Sequence, residues 1–333
     1  MAQHPIKQPI FLAGPTAVGK SAVALALAEK LGGEIISVDS MQVYRGLDLG
    51  TAKPSAAERA RVPHHLIDVA ELSESFDAAK FVMLAQQAVT EIQSRGRVPI
   101  FCGGTGLYFK AFLDGLGEAP PSDEILRAEL EATPLAELLH ELEQRDPATF
   151  ATIDRQNPRR VVRAMEVIRL TGKSFSEQRA DWLTASGGAL ASRRRVSESA
   201  SAQPAAKMAA LPGSGARFFC IARATPDLHA RINARVDEMF TRGLVEEARR
   251  LLEHGLAQNK TAMQAIGYRQ VVEHLRGERS LAETVELVKI KTRQFAKRQL
   301  TWFRKHARAQ WIDVKPHDSA AAMAALVEAQ CAD

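Results

Sequence analysis

GPTAVGKS, residues 14–21, is the segment from which the fold can be predicted. It matches the pattern G-x-x-x-x-G-K-[ST] completely, follows the apolar run 9–13 and leads into the helical sequence SAVALALAEKL. A strand, loop and helix in this order turn backbone N–H groups toward one point, where they bind phosphate oxygens. We therefore predict a diphosphate or polyphosphate site, with Lys20 adding charge and Ser21 offering a hydroxyl to Mg²⁺. Its predicted members are Gly14, Pro15, Thr16, Ala17, Val18, Gly19, Lys20 and Ser21.

Two more buried strands are predicted, one at 35–38 that ends at Asp39 and one at 98–102 that enters Gly103-Gly104-Thr105. Between them the periodicity predicts a helix over Phe76–Arg95 with Ser75 as its N-cap. This alternation predicts an α/β fold of the P-loop NTPase-like kind, a parallel sheet flanked by helices. Because ligands bind beyond the carboxyl ends of such strands, the phosphate loop, 39–42 and 103–105 are expected to converge.

The polar side chains at these strand ends leave alternatives open. Asp39 could act as a general base. Spacing alone supports two other roles, a magnesium ligand and a helix N-cap, together about equally well. Thr105 could donate its hydroxyl proton to a bridging or leaving oxygen. The alternative is a loop threonine whose hydrogen bonds are all made within the protein. The segment 50–68 is polar and predicted to be a loop, in which His64-His65 is expected to form a packing or hydrogen-bonding pair rather than a metal site.

Composition divides the rest of the chain. Residues 1–117 and 218–333 are predicted to form the α/β core, 118–183 a charged helical insertion domain, and the Ser-, Ala-, Gly- and Pro-rich 184–217 a flexible linker or surface insertion. A late strand is expected at 218–222.

Two clusters of basic residues indicate a polyanionic partner. Residues 289–308 hold eight Lys or Arg and no acid, and Val288, Phe295 and Trp302, seven residues apart, predict the buried side of that helix. Another helix start carries Arg159, Arg160 and Arg163, which oppose the helix dipole unless an anion binds there. The net charge of +5 is compatible with nucleic acid but does not require it.

Composition also limits the class of protein. With 333 residues, 46% hydrophobic and 25% charged, the chain has the composition of a soluble globular protein. No apolar run approaches the ~20 residues needed to cross a bilayer, and residues 1–8 lack a signal-peptide segment. The three cysteines lack metal-ligand spacing, so we expect neither zinc nor a disulfide framework, and a cytoplasmic location.

At this point the sequence resembles a family, the tRNA dimethylallyltransferases, and the resemblance covers both ends of the chain. It rests on separated blocks in the family's order, the most specific being SVDSMQVYRGLDLGTAKPS at 37–55. The others are GPTAVGKS at 14–21, VPHHLID at 62–68, GGTGLYFKAFLDGL at 103–116, NPRRVVRAMEVIRLTGKS at 157–174, QAIGYRQ at 264–270 and KTRQFAKRQLTWFRK at 291–305. It implies transfer of a dimethylallyl group from its diphosphate to the exocyclic amine of the adenosine 3′ of a tRNA anticodon.

The resemblance also implies roles. Asp39 would accept a proton from the adenine amine, Thr105 would lie beside the bridging oxygen, Arg127 would close over the diphosphate, and the cofactor would be Mg²⁺ near Ser21. It implies tRNA and dimethylallyl diphosphate as partners, no membrane and a monomer. The segments expected to approach tRNA are Asp39, Ser40, Met41 and Gln42; Arg159, Arg160, Val161, Val162 and Arg163; Gln264, Ala265, Ile266, Gly267, Tyr268 and Arg269; and Lys297, Arg298, Gln299, Leu300, Thr301, Trp302, Phe303 and Arg304.

One position departs from the family's pattern. Thr225 stands where the family commonly has an arginine, and the nearby Arg223 is a candidate to replace it. Alternative functions are an adenylate prenyltransferase or small-molecule P-loop kinase, and a nucleotide-gated RNA-binding module without transfer chemistry. The basic stretches argue against a prenyltransferase or kinase that acts on a small molecule. The presence of Asp39 and Thr105 argues against an RNA-binding module without transfer chemistry.

Overall fold

One parallel sheet organises the chain, of which the computed structural model describes residues 8–116, 120–178 and 217–332. Its strands are β1 (Ile10–Ala13), β2 (Gly33–Val38), β3 (His64–His65), β4 (Val98–Gly103), β5 (Arg217–Ala222) and β6 (Gln310–Asp313). They lie in the order β3-β2-β4-β1-β5-β6, and every pair is parallel. The predicted α/β, P-loop-like sheet is confirmed.

Helices follow most strands, as the right-handed crossovers of a parallel sheet require. Those whose bounds lie in the described residues are α1 (Lys20–Leu31), α2 (Ala56–Arg61), α3 (Ala78–Ser94), α4 (Gly106–Asp114), α5 (Glu124–Ala132), α6 (Leu135–Arg145), α7 (Pro147–Thr152), α8 (Pro158–Thr171), α9 (Thr225–Thr241), α10 (Leu244–Glu253), α11 (Tyr268–Leu275), α12 (Leu281–His306) and α13 (Ala320–Ala332), with a 3₁₀ turn at Ala262–Gln264. They divide between two compact units, Met1–Leu113 with Leu211–Asp333 and Asp114–Ala210.

The central strand β1 is buried on both faces. Ile10 and Leu12 pack into one apolar layer and Phe11 and Ala13 into the other, because successive side chains of a strand point to opposite faces. The Phe11 ring stacks on those of Phe101, at 4.8 Å between centroids, and Phe218, at 6.0 Å. With β4 on one side and β5 on the other, the loop that follows β1 emerges at the middle of the sheet edge.

The segment 50–68, predicted to be a loop, contains α2 and β3. Ser55 caps α2, since its hydroxyl accepts from Glu58 N at 3.2 Å while Glu58 Oε2 accepts from Ser55 N at 2.7 Å. The pattern S-x-x-E is the local sign of such a capping box. The histidines hydrogen-bond as expected: His65 Nε2 lies 2.6 Å from Glu34 Oε2, and His64 Nδ1 lies 2.7 Å from a backbone carbonyl.

The helix predicted from Phe76 begins two residues later, at Ala78. Its N-cap is Asp77, not Ser75, because the Asp77 carboxylate accepts from Lys80 N at 2.9 Å. Phe76 lies before the helix and is buried in the core, with its ring 6.3 Å from that of Tyr108.

The buried side of α12 also differs from the prediction. Phe295 is 37% exposed, whereas the buried residues include Val288, Ala296, Gln299 and Phe303. Trp302 is partly buried and packs against the core, so the predicted stripe fails at Phe295 and not at its other members. From Val288 onward the buried residues are spaced by eight, three and four positions. The true spacing follows the 3.6-residue turn.

The predicted linker 184–217 lies outside the described residues except for Arg217, which begins β5. Within the described part of the chain, no helix is both long and apolar enough to span a membrane.

Candidate active site

The phosphate loop ends at α1, whose N-terminus is open to an anion. Gly19, with φ +104°, is the N-cap residue, and within the described residues no side chain caps this end and no acid lies in its first turn. The first N–H groups of the helix are therefore available to a ligand. The Lys20 ammonium folds back over the loop and donates to Pro15 O at 3.2 Å. Burial lowers the pKa of Lys20 because it disfavours the charged amine, and a bound phosphate would favour the charged amine again.

Arginines from α9 surround this loop. Arg231 Nε donates to Ala17 O at 2.9 Å, and Arg235 Nη1 donates to Thr16 Oγ1 at 3.2 Å. They lie four residues apart and so on one face of the helix, which was the available signal in LHARINAR. Sequence analysis did not identify either as a site residue. Together with Lys20 they make the loop strongly electropositive.

Arg223, considered above as a replacement for the family arginine at Thr225, is also held against the loop. Its Nε donates to Val18 O at 2.8 Å, and its Nη1 pairs with Asp227 at 2.7 Å. Its side chain is only 6% exposed. Arg223 thus supports the backbone of the phosphate loop.

Asp39 and Thr105 lie on two loops that are hydrogen-bonded to each other. The Ser40 N–H donates to Thr105 Oγ1 at 3.1 Å. The Asp39 carboxylate accepts from Met41 N at 2.8 Å and Gln42 N at 3.3 Å. Both of these bonds end on Oδ1, so Asp39 caps its own turn while its second oxygen, Oδ2, is not used by that turn. Asp39 therefore caps a turn and not a helix, since no helix follows it before Ala56, so the N-cap alternative is wrong in that form. The free Oδ2 leaves room for the catalytic role.

Gln299 of α12 joins the phosphate loop to the loop after β4. Its Oε1 accepts from Thr16 N at 2.9 Å, and its Nε2 donates to Gly104 O at 2.9 Å. The side chain is 8% exposed. The Gln299 amide is thus committed to two internal hydrogen bonds, and the approach of its segment to tRNA stays a prediction.

The residues of the segments expected to approach tRNA differ in how far they are buried. That these segments approach tRNA stays a prediction, in which seven buried residues would support the segments from within: Val161, Val162, Ala265, Gly267, Tyr268, Gln299 and Phe303. Those that are exposed are Arg159, Arg160, Gln264, Arg269, Lys297, Arg298, Thr301 and Arg304. The remainder are partly buried: Asp39, Ser40, Met41, Gln42, Arg163, Ile266, Leu300 and Trp302.

The basic side of α12 is less uniform than its sequence. Lys289 is neutralised by Asp237 and Glu286, each at 2.8 Å, and Arg293 donates to Asn233 Oδ1 at 2.5 Å. Among the described residues no ion pair involves the other exposed cations of α12 and of the residues just after it, which are Lys291, Lys297, Arg298, Arg304, Lys305 and Arg308. Their charge is available to a polyanion.

A buried polar network fixes the segment 48–50, one wall of the site. The Glu247 carboxylate accepts from Asp48 N at 3.2 Å and Leu49 N at 3.0 Å, and from the Tyr268 hydroxyl at 2.5 Å. That hydroxyl in turn accepts from Gly50 N at 3.1 Å. A Cβ on Gly50 would lie 2.4 Å from the Tyr268 ring, so only glycine fits. Burial raises the pKa of Glu247.

Replacing Tyr268 with phenylalanine is expected to lower the free energy of unfolding by about 1–3 kcal/mol, the cost of leaving buried polar groups unpaired. Glu247 would lose a donor and Gly50 N an acceptor. Urea unfolding followed by circular dichroism measures the change. Tyr44→Phe is the matched control, because the Tyr44 hydroxyl is buried without a hydrogen-bond partner in the described residues. Equal destabilisation by the two changes would contradict this role for Tyr268.

The second unit contains its own network around a fully buried carboxylate, Glu166. Ser122 Oγ donates to Glu166 Oε1 at 2.6 Å and accepts from Arg127 Nη1 at 2.8 Å. Arg163 Nη1 pairs with Glu166 Oε2 at 2.7 Å, and its Nη2 donates to Pro120 O at 2.7 Å. Two arginines of predicted function, Arg127 and Arg163, are thus oriented by one buried glutamate, which sequence analysis missed.

A cleft of about 860 Å³ opens beside the phosphate loop within the first unit. That volume lies in the range of small-molecule sites. Its wall includes Lys20, Ser21, Arg231 and Arg235. Its apolar wall residues include Leu49, Pro54, Ala234 and Met239. The wall also carries Asp48, Glu58, Asp68 and Glu238. The cations at the phosphate loop together with the apolar residues suit a ligand that combines phosphate with a hydrocarbon group.

Comparison with known proteins gives consistent matches. A family model described as IPP transferase matches residues 42–306. The tRNA dimethylallyltransferase 1 of Trichlorobacter lovleyi is 43% identical over 315 residues, 93% of this chain and 95% of that protein. A crystal structure of the full-length tRNA isopentenylpyrophosphate transferase from Bacillus halodurans aligns with a TM-score of 0.65 at 36% identity, covering 98% of this chain and 97% of that one. A eukaryotic dimethylallyltransferase acting on tRNA aligns with a TM-score of 0.70 at 27% identity, covering 92% and 74%.

Proposed function

The chain belongs to the IPP transferase family, and from this premise we propose that it transfers a dimethylallyl group from dimethylallyl diphosphate to tRNA. The acceptor is the exocyclic amine of the adenosine 3′ of the anticodon. A bond forms between that nitrogen and C1 of the dimethylallyl group, the bond from C1 to the bridging oxygen breaks, and diphosphate leaves. The observation that carries the proposal is the convergence of the phosphate loop with the loops of Asp39 and Thr105.

The phosphate loop would bind the donor diphosphate. Its free N–H groups, Lys20 and the nearby Arg235 would stabilise the negative charge that grows on the leaving group, and such preorganised charge is often the largest catalytic contribution. Mg²⁺ fits this site, because it binds diphosphates through few protein ligands and Ser21 lies on the cleft wall. When bound through Ser21, it would add Lewis-acid charge to the diphosphate.

Asp39 would act on the adenine amine of the acceptor, and Thr105 on the bridging oxygen of the donor. The unused Oδ2 of Asp39 would take the proton that the adenine amine loses as its nitrogen attacks C1. The Thr105 hydroxyl accepts a hydrogen bond from Ser40 N–H, so its own proton is free to point toward the bridging oxygen. In the second unit Arg127, oriented through Ser122 by Glu166, would add charge to the diphosphate.

The exposed cations of α12, with Arg159 and Arg160, would bind the tRNA backbone. The target adenine must leave the anticodon-loop stack to reach a donor held beyond the sheet edge, which implies base flipping. We propose a cytoplasmic location, where tRNA is found, and a monomer in solution.

A transfer assay tests the function. Purified protein is incubated with dimethylallyl diphosphate labelled in its hydrocarbon group, Mg²⁺, and a tRNA that carries adenosine beside the anticodon. Label is expected in tRNA and absent from a tRNA with guanosine at that position. Label in free AMP would instead identify an adenylate prenyltransferase, and tRNA binding without transfer would identify a binding module.

Removing charge from the exposed side of α12 is expected to weaken tRNA binding without changing the chemistry. In the double variant Lys297→Ala/Arg298→Ala, the log–log salt slope of tRNA binding should decrease by about 1.5, since each lost phosphate contact contributes roughly 0.7–0.9. Filter binding over a range of salt measures it. Lys289→Ala is the control, because Lys289 is already neutralised by Asp237 and Glu286. An unchanged slope in the double variant would remove α12 from the tRNA interface.

A further inference from the structure

The Gln299 side chain holds two peptide groups in fixed orientations. Its Oε1 accepts from Thr16 N, and the same peptide's carbonyl, Pro15 O, accepts from Lys20 Nζ at 3.2 Å. Its Nε2 donates to Gly104 O, and the N–H of that same peptide, Thr105 N, donates to Val38 O at 3.2 Å. Each peptide plane is therefore bonded at both its carbonyl and its N–H end, and Gln299 supplies one bond to each.

Close approach of α12 to this loop depends on two glycines. A Cβ on Gly104 would lie 2.2 Å from Gln299 Nε2, and a Cβ on Gly106 would lie 2.2 Å from Trp302 Cε3. Thr105 stands between them. Because glycine has no side chain, it lets the helix approach, but it also restricts the backbone least and leaves the Gly104 peptide more freedom to rotate. A hydrogen bond from Gln299 removes that freedom.

We propose that Gln299 is a positioning residue for the transfer reaction: it sets the orientation of Lys20 and the phosphate loop relative to Thr105. It touches neither substrate in this role, because both of its polar atoms are used inside the protein. This inference rests on the proposed function of the two loops. Lys20 would bind the diphosphate and Thr105 the bridging oxygen of the same donor molecule, so their separation must match that molecule.

Loss of the Gln299 amide would leave both loops intact but less well oriented. A misplacement of about 1 Å at reacting groups can lower a rate about 10²-fold. The exposed face of α12 that carries the cations would be unchanged. Turnover and donor binding should therefore fall while tRNA affinity stays the same, a combination that general unfolding does not produce.

Three variants test the proposal. Gln299→Met keeps the size of the side chain and removes both hydrogen bonds. Gln299→Glu keeps an acceptor for Thr16 N but cannot donate to Gly104 O. Gln294→Met makes the same chemical change at an exposed position of the same helix and serves as the matched control. For each, kcat, the KM for dimethylallyl diphosphate, tRNA affinity and Tm are measured, together with calorimetric binding of inorganic diphosphate, which needs no turnover.

We expect Gln299→Met to lower kcat about 10²-fold and to weaken diphosphate binding. Gln299→Glu should lower both at least as far, because its carboxylate opposes the Gly104 carbonyl and the diphosphate, and Gln294→Met should match the wild type. Equal kcat and diphosphate affinity in Gln299→Met and Gln294→Met would overturn the proposal. A loss confined to tRNA affinity would do the same. If Gln299→Met fails to fold, Gln299→Glu decides: wild-type kinetics in it would overturn the role of the bond to Gly104. Absence of transfer by the wild-type protein would count against the proposed function instead.

Discussion

Replacing Asp39 with asparagine is expected to lower kcat by about 10²–10⁴-fold, the usual contribution of a well-placed general base. The amide oxygen of asparagine can still accept from Met41 N and Gln42 N, the two bonds that Asp39 Oδ1 now accepts. The turn should therefore persist while the basic Oδ2 is lost. Single-turnover transfer to saturating tRNA measures the effect on chemistry, and tRNA affinity should match that of the wild type.

Asp39→Ala provides the comparison, because alanine removes both the base and the cap. It should show the same loss of kcat with an added loss of stability of about 1 kcal/mol, as for other capping residues. Should Asp39→Asn turn over at the wild-type rate while Asp39→Ala fails, Asp39 serves only to hold its turn. A loss of tRNA binding with normal single-turnover chemistry would also reject the role as a base.

Replacing Lys20 with methionine is expected to lower kcat about 10²–10³-fold, the cost of removing one preorganised stabilising group from a developing anion. The KM for dimethylallyl diphosphate should rise as well, because Lys20 is charged before the reaction begins. Steady-state kinetics with dimethylallyl diphosphate as the varied substrate measures both. Lys30→Met is the control, since Lys30 lies at the other end of α1 and pairs with Glu328.

The pH dependence of donor binding provides a second test of Lys20. Burial lowers the pKa of Lys20 in the free protein, and a bound diphosphate favours the charged amine and raises it again. The donor KM of the wild type should therefore rise as pH increases through the lowered pKa, because binding must then take up a proton. Lys20→Met should lack this rise. The same alkaline rise in both proteins would assign the titration to another group.

The sheet could be predicted from sequence because its central strands are continuous apolar runs bounded by glycine. The phosphate loop fixed the identity of β1 and α1, and the strand ends at Asp39 and Gly103 placed the other two loops correctly. In contrast, β3 has two residues, too few to produce a periodic pattern, and it exists because it pairs with Ile35 and Ile36 of β2.

Side-chain roles were predicted less well, because they depend on packing between distant segments. Gln299 lies 283 positions from Thr16, and nothing in its local sequence distinguishes an amide that faces inward from one that faces RNA. Arg231 and Arg235 carried a spacing signal, but only the fold brings α9 to the phosphate loop. The spacing of Val288, Phe295 and Trp302 marks one narrow line along α12, whereas the fold packs Ala296, Gln299 and Phe303 inward and leaves Phe295 exposed.

The position of β1 between β4 and β5 has a consequence for synthesis of the chain on the ribosome. Strands β1 to β4 are made before β5, and roughly 100 residues separate the end of α4 from Arg217. At about 5–20 residues per second, that interval lasts on the order of 5–20 s. Throughout it the central strand has an unpaired edge and Phe11 lacks the Phe218 ring that later stacks on it. An open apolar edge invites pairing with other chains. The nascent protein therefore has an apolar strand edge open to other chains while its second unit is being translated.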